Sequence, residues 1–370
     1  WKKIMNEGSN SMLKRLKSLK KFIGEQRLLP KIACVCCVAV LSACATDSSW
    51  YGEEAEPTIE TTGAKKLEQI VAMQDRLDKV GGKLLISNAD LCRKQLRNLL
   101  GFSVANKYSY SPALASMATE TYGLGERLQV MNVIEGSGAA AAGLRHGDQL
   151  LKIDNRNVPT GVNAERDTVE MLSSIVSKNK PVRLTVLRNK ARHNVVVPLT
   201  PSCGFRIELG HASNVNAYSD GSRILITQGM MLFTKSDQEL AYVIAKEMAH
   251  NVLDHAKSMN NTRAASALID NLIHTNANQK PSINASTLKP MSKKFDIDAD
   301  TLSLAMALRA NYEIDDAPRF WKRLAYRFPG TNIRNYTAQH PSTSARMDAM
   351  PQSVIRIKEI DKRRKALAVK

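Results

Sequence analysis

Aromatic side chains and cysteine are scarce in this 370-residue chain, with Phe, Trp and Tyr at 5% and only six cysteines. The chain lacks the cysteine and histidine spacing of zinc fingers and any nucleic-acid recognition motif. Its formal net charge of +18 therefore favours an anionic membrane surface, cell-wall polymers or simply a solvated basic surface. An apolar run of the ~20 residues that a transmembrane helix needs is also missing. What is present, 43% hydrophobic residues, is enough for two modest globular domains with tails.

Residues 1–43 have the layout of a bacterial secretory signal. Nine Lys or Arg residues against two Glu contribute +7 to the net charge, and the apolar run "IACVCCVAVL" follows at residues 32–41. Next comes "LSAC", which resembles a lipobox, so we expect Cys44 to be lipidated and to become the mature N-terminus. Ala45, in place of the aspartate of an inner-membrane retention signal, predicts an outer-membrane lipoprotein facing the periplasm. The alternative is an ordinary cleaved signal peptide.

Two cysteines remain in the folded part if the signal is removed and Cys44 carries lipid. Cys92 and Cys203 are an even pair in an oxidising compartment, which predicts a disulfide between them. The alternative is a pair of buried free thiols.

The chain between the signal and the first strands is predicted to be a tether followed by helices. Residues 44–62 are polar and acidic without a sustained period, which is typical of a flexible tether. Residues 63–110 are predicted to be a helical region, whose first helix begins near Ala64 and ends at Gly81-Gly82.

Residues 111–201 change to short β runs. From Leu128 the stretch "LQVMNVIEGSGAAAAGLRHGDQLLKIDNRNV" offers a strand, a small-residue helix, a Gly-Asp turn and a second strand, and it resembles a PDZ domain. "RDTVEMLSSIV" is then the groove-lining helix. The preceding "YGLGERL" is the expected carboxylate-binding loop, with Glu126 where an apolar residue is usual. The resemblance implies capture of C-terminal peptides by strand addition, and a spacer that binds no peptide is the alternative.

Residues 202–352 contain the segment with catalytic potential, "SDQELAYVIAKEMAHNVLDH". Ser236 and Glu239 have the spacing of a capping box, and apolar residues at helical spacing follow. We therefore expect a helix from Asp237 to about His255. Because His255 lies five residues after His250, about 140° around that helix, it is expected to be a helix-end residue and not a ligand.

Lys246, Glu247 and His250 occupy one region of this predicted helix. Residues four apart share a helix face, so Lys246 and His250 project together with Glu247 beside them. That is the geometry of His-Glu-x-x-His, in which two histidines hold zinc and the glutamate is the general base.

Further motifs follow in a fixed order: a turn through Asn216-Ala217 and Asp220-Gly221 between two strands, "FDIDADTLSLAMALRANYEIDD" from Phe295, and "HPSTSAR" at residues 340–346. With the helix they resemble the gluzincin zinc metallopeptidases that include the CAAX prenyl protease and the HtpX heat-shock protease, in particular a bacterial subgroup of PDZ-containing lipoproteins. The resemblance covers about residues 88–350. It implies an α+β metallopeptidase-like domain, zinc as cofactor, and protein or peptide substrates.

The resemblance also implies a role for each matching position. These are the general base Glu247, the second zinc ligand His250, the third-ligand position at Asp296, a supporting aspartate at Asp300, and a His-Pro…Arg element whose His340 and Arg346 are catalytic, with Arg346 polarising the substrate.

Two of the three ligand positions depart from the family pattern. A protonated lysine at position 246 cannot bind zinc, and Asp296 is one methylene shorter than the usual glutamate, or about 1 Å. Zinc is therefore in doubt for this chain. Because buried carboxylates need a cation, we hypothesise a zinc-free pocket in which Lys246 pairs with Asp296 or Glu247. The alternative is that Lys246 reaches solvent.

The remaining segments carry weaker signals. Residues 258–290 are predicted to be a mobile loop with a short helix around "AASALIDNLI". We hypothesise that this loop acts as a lid. Asn311 stands where the family has a helix-ending glycine and is expected in the left-handed conformation. Residues 353–370 are predicted to be a basic C-terminal tail.

Three functions are compatible with this sequence. The first is an envelope pseudopeptidase that binds periplasmic or outer-membrane proteins. The second is a still-active zinc metalloendopeptidase in envelope protein quality control, with His340 as a replacement ligand. The third is a structural lipoprotein.

Overall fold

The computed structural model describes residues 58–60, 62–274, 289, 291–328 and 344–368. Cys44 and His340 lie outside the described residues, so the structure does not address their predicted roles. The helices of one turn or more within the described part are α1 (Gly63–Ser87), α2 (Pro112–Tyr122), α3 (Gly138–Ala141), α4 (Ala164–Val176), α5 (Gln228–Phe233), α6 (Asp237–Val252), α7 (His255–Ser258), α8 (Thr262–His274), α9 (Lys293–Arg309), α10 (Ala317–Arg327) and α11 (Ser344–Ala368). None of these described helices is both long and apolar enough to cross a membrane.

The strands form three sheets and confirm the α+β class. In chain order they are β1 (Leu96–Leu99), β2 (Phe102–Ala105), β3 (Gln129–Val133), β4 (Gln149–Ile153), β5 (Arg156–Asn157), β6 (Val182–Arg188), β7 (Ala191–Val197), β8 (Thr200–Cys203), β9 (Arg206–Gly210), β10 (Ala217–Ser219) and β11 (Arg223–Thr227).

Helix α1 runs through Gly81 and Gly82, so the prediction that it ends there is wrong. A methyl group added at Gly81 would lie 2.7 Å from Cδ1 of Ile207, and one added at Gly82 would lie 2.6 Å from Cγ2 of Ile134. Glycine here permits close packing of the helix on two strand-bearing segments. In this helix the packing outweighs the low helix propensity of glycine.

The largest sheet has the order β2-β3-β4-β6-β7, with β5 paired to β4, and all its pairs are antiparallel. One face packs with α4 on a core that includes Leu128, Val130, Ile153, Val182 and Val186. The opposite face of β2 and β3 packs on α1 and α2. The sheet is therefore covered on both faces at its β2 end.

The chain enters and leaves this sheet domain through two strands that lie side by side. Strands β1 and β8 pair antiparallel, with Leu96 opposite Cys203, and a disulfide joins Cys92 to Cys203. Entry and exit points that lie side by side are typical of an inserted domain. Because β1 and β2 belong to these sheets, residues 63–110 are not entirely helical, which corrects the predicted boundary at 110.

The second domain contains a three-stranded sheet in the order β10-β11-β9. Strand β9 is parallel to β11, while β10 is antiparallel to it, so Ala217–Ser219 forms a strand and not the predicted turn. The turn is limited to the Asp220-Gly221 region, where Gly221 has a φ of 100°. Helices α6 and α8 pack against this sheet, and α9 packs along α6.

Two C-terminal segments are more ordered than the sequence suggested. Helix α8 confirms the short helix predicted around "AASALIDNLI". It buries Ala265, Leu268, Ile269 and Leu272 against Tyr218 and Leu225, so it belongs to the core and not to a mobile loop. The lid predicted beyond them falls mostly outside the described residues. Helix α11 extends through residues 353–368 and buries Val354 and Ile357, because apolar residues recur at helical spacing there. It is therefore not a tail.

Candidate functional site

Helix α6 carries the central residues of the site and is buried almost throughout. It begins where predicted, because the Ser236 hydroxyl accepts a hydrogen bond from the backbone N–H of Glu239 at 3.2 Å. The reciprocal half of the capping box does not form. The Glu239 carboxylate accepts instead from the N–H of Lys235 and pairs with Arg323. The helix ends at Val252, three residues before the predicted end.

Lys246 is 1% exposed, so the interpretation that it reaches solvent is wrong. Its Nζ lies 3.3 Å from Oδ1 of Asp296 and 3.2 Å from Oδ1 of Asp300, both on α9. It also lies 5.0 Å from the ring centroid of Trp321 on α10. Residues 296 and 300 share a face of α9, so one ammonium can contact both carboxylates. The ammonium is thus enclosed by two negative charges and an aromatic face.

Arg346 is the second cation of this cluster. Its Nε donates to Oδ2 of Asp300 at 2.8 Å and its Nη2 donates to Oδ1 at 3.0 Å. Burial alone would raise the pKa of Asp300, but the charges of Lys246 and Arg346 lower it below its usual value. Arg346 is 2% exposed. It therefore lies in the buried charge cluster, and its role in polarising a substrate stays a prediction.

Glu247 and His250 lie on the same helix, next to Lys246. Oε2 of Glu247 accepts a hydrogen bond from the Ser219 hydroxyl on β10 at 2.6 Å. Nε2 of His250 lies 3.5 Å from Oδ1 of Asp296. The fold therefore brings together Lys246, Glu247, His250 and Asp296, as the sequence predicted, and adds Ser219.

His255 contacts His250, which the sequence did not predict. Its Nδ1 lies 2.9 Å from Nδ1 of His250, and its ring stacks on Phe295 with centroids 4.3 Å apart. The predicted angle of 140° assumed a continuous helix. Asp254 instead adopts a left-handed conformation with a φ of 56°, and His255 begins the separate helix α7. The chain thereby turns back toward His250.

Trp321 is another residue that sequence reasoning did not assign. It packs over both cations of the cluster, with the guanidinium carbon of Arg346 5.9 Å from its ring centroid. The only signal in the sequence was a tryptophan, one of three in the chain, on an amphipathic helix after the third-ligand region.

The described side chains do not fit the zinc ion that the resemblance implies. Catalytic zinc needs three protein ligands at about 2 Å. Here His250 and Asp296 supply two, while the ammonium of Lys246 contacts the Asp296 oxygen that also faces His250. A dication at that position would be repelled by the ammonium. Among the described residues no group of three His, Cys, Asp or Glu side chains is placed to hold a metal.

A second candidate site lies between β2 and α4. Phe102 and Val104 on β2, and Met171, Leu172 and Val176 on α4, are half-buried against the same core. Strand β2 is at the edge of its sheet, so one side of its backbone is open to an added strand.

The turn that leads into this groove differs from the prediction. Residues Leu99–Gly101 form the turn that directly precedes the edge strand β2 and therefore leads into the groove. Within this turn Gly101 has a φ of 89°. In the predicted loop, Leu124 is fully buried in another cluster and Glu126 pairs with Lys107 and Tyr108. The prediction of the carboxylate-binding loop at residues 122–128 is therefore wrong.

The fold combines an α+β domain that contains the buried charge cluster with an antiparallel sheet domain that contains the groove. Residues 187–354 match the family model described as Peptidase family M48, and residues 98–199 match the model described as PDZ domain. The chain thus contains an M48 domain, of a zinc-dependent metallopeptidase family, and a PDZ domain.

Two curated relatives carry the description mitochondrial metalloendopeptidase OMA1. The protein from Arabidopsis thaliana is 27% identical over 143 residues, which is 38% of this chain and 29% of that protein. The protein from Schizosaccharomyces pombe is 26% identical over 133 residues, which is 34% of this chain and 40% of that protein. The match thus spans less than half the length of these relatives.

Similar solved structures include PDZ-containing proteins. The HtrA3 PDZ domain bound to a phage-derived ligand is 16% identical, with 29% of this chain and 88% of that chain covered and a TM-score of 0.22. The HtrA-type protease AlgW with a decapeptide is 24% identical, with 29% and 30% covered and a TM-score of 0.22.

Proposed function

We propose that this chain is an envelope pseudopeptidase, which binds polypeptides through its M48 and PDZ domains without cleaving them. The observation that carries the proposal is the position of Lys246, whose ammonium contacts Asp296 and Asp300 at 3.3 and 3.2 Å. In this account the ammonium replaces the charge of the metal. The carboxylates that would help to hold zinc are neutralised by a side chain, and no metal-bound water is available for hydrolysis.

The PDZ groove supports the binding part of the proposal. The open edge of β2 can accept a peptide as an additional antiparallel strand, and half-buried apolar side chains of β2 and α4 can contact its side chains. We infer that the partners are periplasmic or outer-membrane proteins with accessible C-termini. The signal-like residues 1–43 and the lipobox at Cys44 support this location and a lipid anchor.

A still-active zinc endopeptidase is the second candidate. It is favoured by Glu247 and His250, which retain the general-base and second-ligand positions, and by the metalloendopeptidase descriptions of both curated relatives. Under this account His340 would have to supply the missing ligand.

One experiment separates these functions from a structural lipoprotein. The full chain is supplied with zinc and an unfolded test protein, and cleavage is followed by mass spectrometry. Binding of peptides with free and amidated C-termini is measured by calorimetry. Binding of free-acid peptides without cleavage supports the proposal. Zinc-dependent cleavage supports the endopeptidase, and neither activity supports a structural role.

A matched pair of variants on α4 locates the peptide site. Met171→Glu places a charge at the half-buried groove position, whereas Val169→Glu changes a residue that is 57% exposed on the same helix. We expect Met171→Glu to weaken peptide binding by about tenfold or more, since a desolvated charge opposes apolar contact. Val169→Glu should leave binding within about twofold. Equal effects of the two variants would place the peptide elsewhere.

A further inference from the structure

The second half of the PDZ domain has an unusual charge distribution that neither proposed site explains. Residues 171–207 contain no Asp or Glu, while they contain seven Lys or Arg residues: Lys178, Lys180, Arg183, Arg188, Lys190, Arg192 and Arg206. Four of these seven lie on β6, on β7 or in the turn between them. Lys178 and Lys180 lie between α4 and β6, and Arg206 lies on β9.

Strand register places several of these cations on one face of the sheet. Leu187 is opposite Arg192 and Arg183 is opposite Val196 on β6 and β7, while Lys152 on β4 is opposite Thr185 on β6. Val182, Leu184 and Val186 alternate with Arg183 and Leu187 along β6 and are buried in the core. Arg183, Arg192 and Lys152 therefore lie on the opposite, outward face of the sheet. Lys178 and Lys180 at one end and Lys190 at the other are also exposed. We call this surface the basic sheet face: Lys152, Lys178, Lys180, Arg183, Lys190 and Arg192.

The cations of the basic sheet face have no carboxylate partner among the described residues. Arg188, which is not one of them, shows the contrast, because both its Nε and its Nη2 donate to Asp148 at 2.6 Å. Asp154, which directly follows β4, accepts a hydrogen bond at its carboxylate from the backbone N–H of Arg183 at 3.2 Å. The side chain of Arg183 stays exposed. The face therefore presents uncompensated positive charge.

We propose that the basic sheet face docks on an anionic phospholipid surface. The cations are spread over a sheet face and its margins, which suits a delocalised charged surface. Val196, 56% exposed, lies among them and can contact the lipid interface. None of the six face residues or their strand partners is aromatic, so the stacking typical of single-stranded nucleic-acid sites is missing.

The position of the face is compatible with peptide binding. Lys152, Arg183 and Arg192 of the basic sheet face lie on β4, β6 and β7, whereas the groove borders the edge strand β2. A domain docked through its β7 side would leave the β2 edge open. The inference rests on the proposed function for one point only, the location of the chain beside a membrane.

The test uses the full chain and co-flotation with vesicles of phosphatidylcholine alone or mixed with phosphatidylglycerol. Any contribution of the lipid anchor or of the apolar run is the same in both vesicles, so their difference reports the charge. We expect preferential binding to the anionic vesicles that weakens as salt rises.

Two double variants with equal charge change locate the contact. Arg183→Glu with Arg192→Glu alters the face, and Arg93→Glu with Arg263→Glu alters two exposed arginines elsewhere. One cation near an anionic leaflet is worth about fivefold in affinity. The face variant should therefore lose about tenfold or more, and the control variant less than about twofold.

Two results would overturn the inference: equal loss in both double variants, or no preference for anionic vesicles in the unmodified chain. Peptide binding measured on the same proteins separates this inference from the proposed function. The face variant should keep its peptide affinity. If the unmodified chain binds anionic vesicles but does not bind peptides, that result would count against the proposed function alone.

Discussion

Removing the Lys246 ammonium should destabilise the protein strongly, because it leaves two buried carboxylates with less positive charge. At 3.2–3.3 Å and an effective dielectric constant of ~20, each contact is worth about 5 kcal/mol before desolvation is counted. Arg346 still neutralises Asp300 through two hydrogen bonds, so the larger deficit falls on Asp296. Breaking a buried pair in this way costs about 3–5 kcal/mol. We expect this loss in the free energy of unfolding for Lys246→Met.

The measurement is urea unfolding of the full chain at neutral pH with a chelator present, followed by circular dichroism. A double variant, Lys246→Met with Asp296→Asn, should recover about 2 kcal/mol or more, since both members of the pair become neutral. Lys294→Met is the control, because Lys294 pairs with Asp298 at 2.9 Å but is 80% exposed. It should cost less than about 1 kcal/mol.

A cost below about 1 kcal/mol for Lys246→Met would contradict the buried-pair account. So would strict additivity of the two substitutions, since contacting residues should be coupled.

Two further predictions concern the packing of α1 on the PDZ sheet. Burial raises the pKa of Asp78, so its ionisation opposes folding, with no effect below the unfolded pKa of 3.8 and a growing cost as pH rises through the folded pKa. Asp78→Asn should thus raise the free energy of unfolding at pH 7 by about 1 kcal/mol and give no gain near pH 3. The control Asp348→Asn, at an exposed position, should change the free energy of unfolding by less than about 0.5 kcal/mol. Gly82→Ala should lower the free energy of unfolding by about 1–3 kcal/mol through collision with Ile134, whereas Gly125→Ala, which has open space around it, should be tolerated in thermal unfolding. Stabilisation by Gly82→Ala would contradict the close packing.

The features that the sequence predicted well are local ones. The start of α6 follows from Ser236, whose hydroxyl caps the helix. Asn311 has a φ of 58° after α9, as expected for a helix-ending position. The small-residue helix α3 and the strands around it follow from their alternating pattern and turn residues. These signals depend on neighbours within a few residues, which a sequence displays directly.

The features that it missed depend on distant partners or on a single backbone angle. Gly81 and Gly82 signal a helix end locally, but contacts with other segments keep them inside α1. The approach of His255 to His250 follows from the left-handed Asp254, and the part of Trp321 in the charge cluster follows from the packing of α10 near α6. The pairing of Lys246 with Asp296 was predicted as one of two options, because only charge balance could be argued from the sequence. The contact of Lys246 with Asp300 could not be predicted in this way.

The most direct test of the central claim is the zinc content of the full chain, measured by elemental mass spectrometry after exhaustive dialysis. We predict far less than one zinc per folded chain, because Lys246 supplies the positive charge beside Asp296. The double variant Lys246→His with Asp296→Glu should gain zinc, since it restores both departed ligand positions. Near-stoichiometric zinc in the unmodified chain would contradict the account and point to a ligand outside the described residues, with His340 the first candidate.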